Sequence, residues 1–146
     1  MKKRLAIGSM LLVFLSSLGL HAQVARRDDP FSGKWKLNTI KSNTSLPAPK
    51  GVSIKADKKG ITFSEEAENG DSATTTAQFN GKDYPVRGSS FADAASYQRL
   101  GQRTIKSTVR KHGQVVLTET ITVSDDGKML MVSFNEFPGI AVFDKQ

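Results

Sequence analysis

Glu119 is the residue with the most chemistry to offer. It sits in the run 115–123 (VVLTETITV), where Val115, Leu117, Ile121 and Val123 share its face and Thr118, Thr120 and Thr122 make the other. Side chains alternate between the two faces of a strand, so this pattern places a carboxyl group in an apolar wall. An ionised carboxylate there is costly unless it is paired or wet. Glu119 is therefore a carboxylate lining a ligand cavity, a general base with a raised pKa, half of a structural ion pair, or a residue turned outward by a bulge. Arg99 is its natural partner. A three-residue turn over 101–103 puts Tyr97, Arg99, Ile105, Ser107 and Glu119 on one interior face, with Arg99 and Glu119 flanking Ile105 from strands about 9–10 Å apart. A two-residue turn with Gly101 at its first central position instead puts Gln98 and Leu100 inside and Arg99 outside. Phe63, Phe79, Tyr84, Met129 and Met131 are candidate apolar lining. The hairpin at 125–127 decides whether Met129 and Met131 or Leu130, Val132 and Phe134 point inward.

Other chemistry is scarce. The chain of 146 residues has 0 cysteines and 2 histidines, which removes disulfide frameworks, thiol catalysis and most zinc sites. His112 stands in a polar turn beside Gly113, a poor foundation for a Ser-His-Asp hydrolase. Glu65, Glu66, Glu68 and Asp71 form an acidic patch without the spacing of a calcium loop, so a solvated loop is expected. No glycine-rich phosphate loop occurs, and no cofactor or metal is expected.

The elements that must position these residues begin after a processing segment. Met1-Lys2-Lys3-Arg4 is basic, the run 5–20 is uncharged and leucine-rich, and Ala22 offers a small residue for cleavage. This is the pattern of a secretory signal peptide over 1–22. A membrane anchor is the alternative, weakened by Ser16, Ser17, Gly19, His21 and Gln23. Losing Lys2, Lys3 and Arg4 takes the formal charge from +7 to +4. The remaining cations are scattered among acids, so nucleic-acid binding is not expected. A polar leader over 23–30 precedes one domain over 31–146.

From Phe31 onward the period is two. Phe31, Gly33, Trp35 and Leu37 alternate with polar residues, and so do Val52, Ile54 and Ala56. Pro47 and Pro49 mark a loop. Asn80-Gly81 predicts a type I′ hairpin turn. Segments 96–100, 104–110, 114–124, 128–135 and 139–145 read as strands; 88–95 is a loop or one helical turn. For the turn at 111–113, a three-residue loop sets Val109 opposite Val115, Ser107 opposite Leu117 and Ile105 opposite Glu119. A two-residue loop would set Arg110 opposite Val115 and mix the faces, so the longer loop is expected. Many short strands with such turns predict an all-β antiparallel barrel or sandwich, here an up-and-down barrel of eight to ten strands.

The segment Phe31-Ser32-Gly33-Lys34-Trp35-Lys36-Leu37 resembles the opening strand of the calycins, the lipocalins and fatty-acid-binding proteins, which carry Gly-x-Trp there. Residues 103–146 look like the closing hairpins of a fatty-acid-binding protein. The chain also resembles small secreted bacterial proteins with a Gly-Lys-Asp-Tyr-Pro-Val segment, here 81–86. The resemblance implies a calycin-like barrel and gives Gly33 and Trp35 a structural role, the tryptophan packing across the closed end beneath a basic residue. The lipocalin Thr-Asp-Tyr motif is absent. A proline loop at 43–50 replaces the two lid helices of the fatty-acid-binding proteins. Ala141-Val142-Phe143 stands where those proteins carry Arg-x-Tyr, so carboxylate capture does not carry over.

Together these features predict a secreted or periplasmic, monomeric protein that binds a small hydrophobic or amphipathic molecule, with Tyr97, Arg99, Ser107, Glu119, Phe63 and Phe79 as ligand contacts. No membrane anchor is expected once the signal peptide is removed. Two other classes stay open. One is a cofactor-independent isomerase, lyase or cyclase, with Glu119 moving a proton and Arg99 or Tyr97 stabilising charge. The other is an envelope protein-binding or inhibitor module using the loop at 43–50 or 89–95.

Overall fold

Alternating side chains become ten strands in a computed structural model that describes residues 27–146. The expected signal peptide and residues 23–26 of the leader lie outside the described residues. The strands are β1 (Gly33–Leu37), β2 (Gly51–Ala56), β3 (Gly60–Glu66), β4 (Ser72–Gln78), β5 (Tyr84–Arg87), β6 (Ala94–Arg99), β7 (Thr104–Lys111), β8 (Gln114–Val123), β9 (Met129–Phe134) and β10 (Ile140–Lys145). Each pairs antiparallel with its neighbours in sequence, and β1 closes onto β10, giving an up-and-down antiparallel barrel. Closure gives every described strand a neighbour on both sides, so the sheet ends in no edge strand. The seam pairs Trp35 with Lys145 and Leu37 with Phe143. Gly33, at φ +144°, lets the Lys145 side chain cross it: a Cβ there would lie 3.0 Å from Lys145 Cε. The Lys145 ammonium then stands 5.2 Å from the centre of the Trp35 ring.

Three hairpins set which residues face inward. Arg99 pairs with Ile105 and Tyr97 with Ser107, the register of the three-residue turn, so Arg99 and Tyr97 both take the interior face. Val123 pairs with Leu130 and Ile121 with Val132, which sends Leu130, Val132 and Phe134 inward and Met129 and Met131 to the outer face. The methionines therefore do not line the interior. The third hairpin departs from expectation. His112 (φ 50°) and Gly113 (φ 78°) make a two-residue turn, and Arg110 does pair with Val115. The faces are restored one step later by a bulge at Val116, after which Val109 pairs with Leu117, Ser107 with Glu119 and Ile105 with Ile121. A bulge adds one residue to one strand, and here that residue undoes the mixing that the short turn creates.

Asn80-Gly81 also differs from expectation. Gly81 has φ +72° but Asn80 keeps a negative φ, so the turn is not type I′. The Asn80 side chain accepts the Lys82 N–H at 3.0 Å, Gly81 N–H donates to the Tyr97 carbonyl at 3.2 Å, and β4 pairs with β5 only at Thr74 and Thr75.

The interior has two unlike halves. At one end the turns 57–59, 79–83, 101–103 and 125–128 gather, and there Phe31, Trp35, Ile54, Ile105, Ile121, Val123 and Leu130 are essentially inaccessible. Each such side chain contributes about 1.5–3 kcal/mol by leaving water. At the other end the connections 38–50, 67–71, 88–93 and 135–139 surround an opening.

Candidate functional site

The open half encloses a cavity of about 370 Å³. Its wall is mostly apolar, with Phe63, Val109, Leu117, Val132, Phe134 and Phe143 prominent, and the segments Leu46–Pro49 and Ser89–Ala92 stand at its mouth. Polar groups are few: Ser89 at the mouth, and Glu65, Thr75, Tyr97 and Glu119. A second, more open cleft adjoins it, shares Glu65 and the proline loop, and adds Glu68 and Asp71.

The bulge in β8 explains how the deep polar groups meet. It moves Glu119 two residues along the barrel, out of the row of Ile105 and into the row Tyr97, Ser107, Glu119, Phe134 on four consecutive strands. Glu119 is only 9% exposed, lines the cavity and makes no ion pair among the described residues. Burial, then the nearby Glu65 charge, push its pKa up to about 8; Ser107 opposes this and Glu136 adds to it. Burial alone raises Glu65, although that residue keeps some contact with solvent. The Tyr97 phenol is pushed well above its ordinary range, first by burial, then by Glu119 and Glu65, with Thr75 and Ser107 acting against the shift. Tyr97 therefore stays a neutral hydrogen-bonding group. Its ring packs on Phe63 with centroids 6.2 Å apart.

Ser107 is fully buried between Tyr97 and Glu119, and its hydroxyl makes no geometrically sound hydrogen bond. It is near enough to favour the ionised form of both neighbours without completing a bond to either. Leaving such a hydroxyl unpaired costs about 1–3 kcal/mol.

Arg99 does not join this group. It faces inward but from the filled end, in the row it shares with Ile105 and Ile121, which is the row next to that of Tyr97, Ser107 and Glu119. Its guanidinium donates to Asp29 at 2.6 Å and to the carbonyls of Asp57, Gly101 and Gln102 at 2.9–3.1 Å. It also stands 5.4 Å and 5.5 Å from the rings of Phe31 and Phe79. Arg99 and Phe79 thus plug the floor, away from the cavity wall, and the leader residue Asp29 belongs to the folded unit. Tyr84 packs against the core and its hydroxyl accepts Asn80 Nδ2 at 2.8 Å. Trp35 is buried in the floor, its Nε1–H donating to the Phe31 carbonyl at 3.0 Å. His112 is exposed at its turn.

Glu65 is the site residue that sequence reasoning left in a surface patch. The signal was present: Ile61, Phe63 and Glu65 continue one alternation, so the interior face of β3 ends in a carboxyl group. Its neighbour Glu66 points the other way and pairs with Lys50 at 2.8 Å. Neither the protein-family models nor the curated proteins give a match to this chain.

Proposed function

We propose that this is an exported, monomeric binding protein that holds a small hydrophobic or amphipathic molecule inside its barrel. The observation that supports it is the cavity of about 370 Å³, walled by apolar side chains and supplied with a few convergent polar groups. Binding sites for small molecules have this character: burial supplies affinity and a few polar atoms fix orientation. Export rests on the basic, apolar and small-residue order of residues 1–22. The closed sheet, with no edge strand among the described residues to recruit a second copy, favours a monomer.

Native mass spectrometry of the protein purified from its own cells tests this reading. A retained small molecule that is lost on Phe63→Trp, which fills the cavity, is the expected result. An empty protein that also takes up no member of a panel of lipids and hydrophobic metabolites would overturn it.

A second reading, proton-transfer catalysis, is favoured by one observation: Glu119, with its pKa near 8, faces the cavity beside Tyr97. A general base poised near the working pH suits such chemistry. Arg99 is unable to stabilise an oxyanion from the floor, which leaves that role to the buried hydroxyls of neutral Tyr97 and of Thr75. Turnover of a bound carbonyl compound, abolished by Glu119→Gln with binding retained, would establish it.

A further inference from the structure

We propose that the occupant of the cavity is an amphipathic amine, with its apolar body against the wall and its ammonium group between Glu65 and Glu119. This rests on the binding reading above and names the ligand class. Lys plus Arg outnumber Asp plus Glu 21 to 14 in the chain. Yet among the described residues lining the cavity and the adjoining cleft there is no Lys, Arg or His, while Glu65, Glu68, Asp71 and Glu119 all stand there. A cation entering by that cleft passes only acids. Glu68 and Asp71 edge the cleft, Glu65 lies where it joins the cavity, and Glu119 waits at depth.

The deepest acid is also the least provided for. Glu119 is nine-tenths buried, faces the cavity, and has no ion-pair partner among the described residues. The buried Ser107 hydroxyl beside it has no acceptor either. An ammonium group supplies the missing counter-charge, and Ser107 is a donor at hand for the carboxylate so ionised. A carboxylate ligand finds the reverse: no cation to receive it and two acids to repel it.

The groups facing Glu119 are Glu65 from β3, Tyr97 from β6 and Glu136 from the connection after β9. Glu136 accepts the Thr118 N–H at 2.9 Å, and this holds its pKa low, so it stays charged. The cavity therefore has a standing negative field and, when empty, a proton on Glu119 to relieve it. An ammonium displaces that proton. Amine affinity should rise between about pH 6 and 8, whereas affinity for a carboxylate, which needs the proton, should fall.

Isothermal titration calorimetry with decylamine, decanol and decanoate is the test. At pH 7 decylamine should bind at least about tenfold more tightly than decanol, and decanoate most weakly, as charge-assisted hydrogen bonds exceed neutral ones. Titrations in two buffers of different ionisation enthalpy should show proton release with decylamine. Glu119→Gln should abolish the preference for the amine while decanol still binds; Glu65→Gln, at the rim, should reduce it even if the deeper variant fails to fold. Decanol or decanoate binding as tightly as decylamine to wild type, or decylamine binding without proton release, would overturn the amine assignment and leave the binding reading standing. Failure of all three probes to bind would count against both.

Discussion

The two halves of the barrel are made of the same strands and do opposite things with their interior. Near the floor every inward position is filled, and the one charge, Arg99, is matched by Asp29, three backbone carbonyls and two aromatic rings. Near the mouth the inward positions leave a void, and the charges there have no partners among the described residues. The contrast lies within single strands. β7 contributes packed Ile105 to one half and orphaned Ser107 to the next row; β8 contributes Ile121 and then Glu119. Stability is concentrated where polar groups are satisfied, and binding capacity where they are not.

Truncation of matched leucines puts that contrast at risk first. Leu130→Ala, in the filled half, should cost about 3–5 kcal/mol in urea unfolding, whereas Leu117→Ala, on the cavity wall, should cost about 1–2 kcal/mol. Equal losses would mean that both halves are packed alike. Arg99→Met should lower stability by about 2–4 kcal/mol, because it strands Asp29 in a largely buried position. The same variant should bind decanol within about twofold of wild type; a large loss of affinity would tie the floor to the site.

The pH dependence of Glu119 sharpens the comparison further. The folded pKa of about 8 lies above the ordinary value of 4.5, so the native state holds the proton more tightly than the unfolded chain. This contribution is fully present below pH 4.5, declines as pH rises through 8, and is gone beyond. Glu119→Gln should therefore gain about 1–3 kcal/mol over wild type at pH 9, and the gain should shrink toward pH 4. A pH-independent difference between the two would place that carboxyl in water. The smallest stability effect is expected at the mouth. Phe91 is 54% exposed, so Phe91→Ser should change stability by less than about 0.5 kcal/mol. It should speed ligand release severalfold in stopped-flow measurements.

Most of the barrel was legible because alternation is a strong signal when one face is buried. Trp35, Ile54, Phe63 and Ile121 all fall on the face that period two assigns them. What alternation does not register is an extra residue. Val115-Val116-Leu117 gives no polar gap to betray the bulge, so the sequence pairs Ile105 with Glu119 and thereby Glu119 with Arg99. The two-residue shift preserves which face each side chain takes and changes only its height in the barrel. That is why Tyr97, Ser107 and Glu119 were found together and Arg99 was misplaced beside them. Phe79 was likewise assigned to the right cluster of apolar residues but to the wrong end. The size of the void was not legible, since Ala73, Ala92, Ala95 and Ala141 line it by what they lack.

The seam between β1 and β10 sets the order in which the molecule can assemble. Its two halves are the first and last strands of the described residues, so the sheet stays unzipped until β10 is in place. Contacts so distant along the chain are slow to form. Clipping the last six residues should leave a curled ribbon with two sticky borders in place of a cylinder.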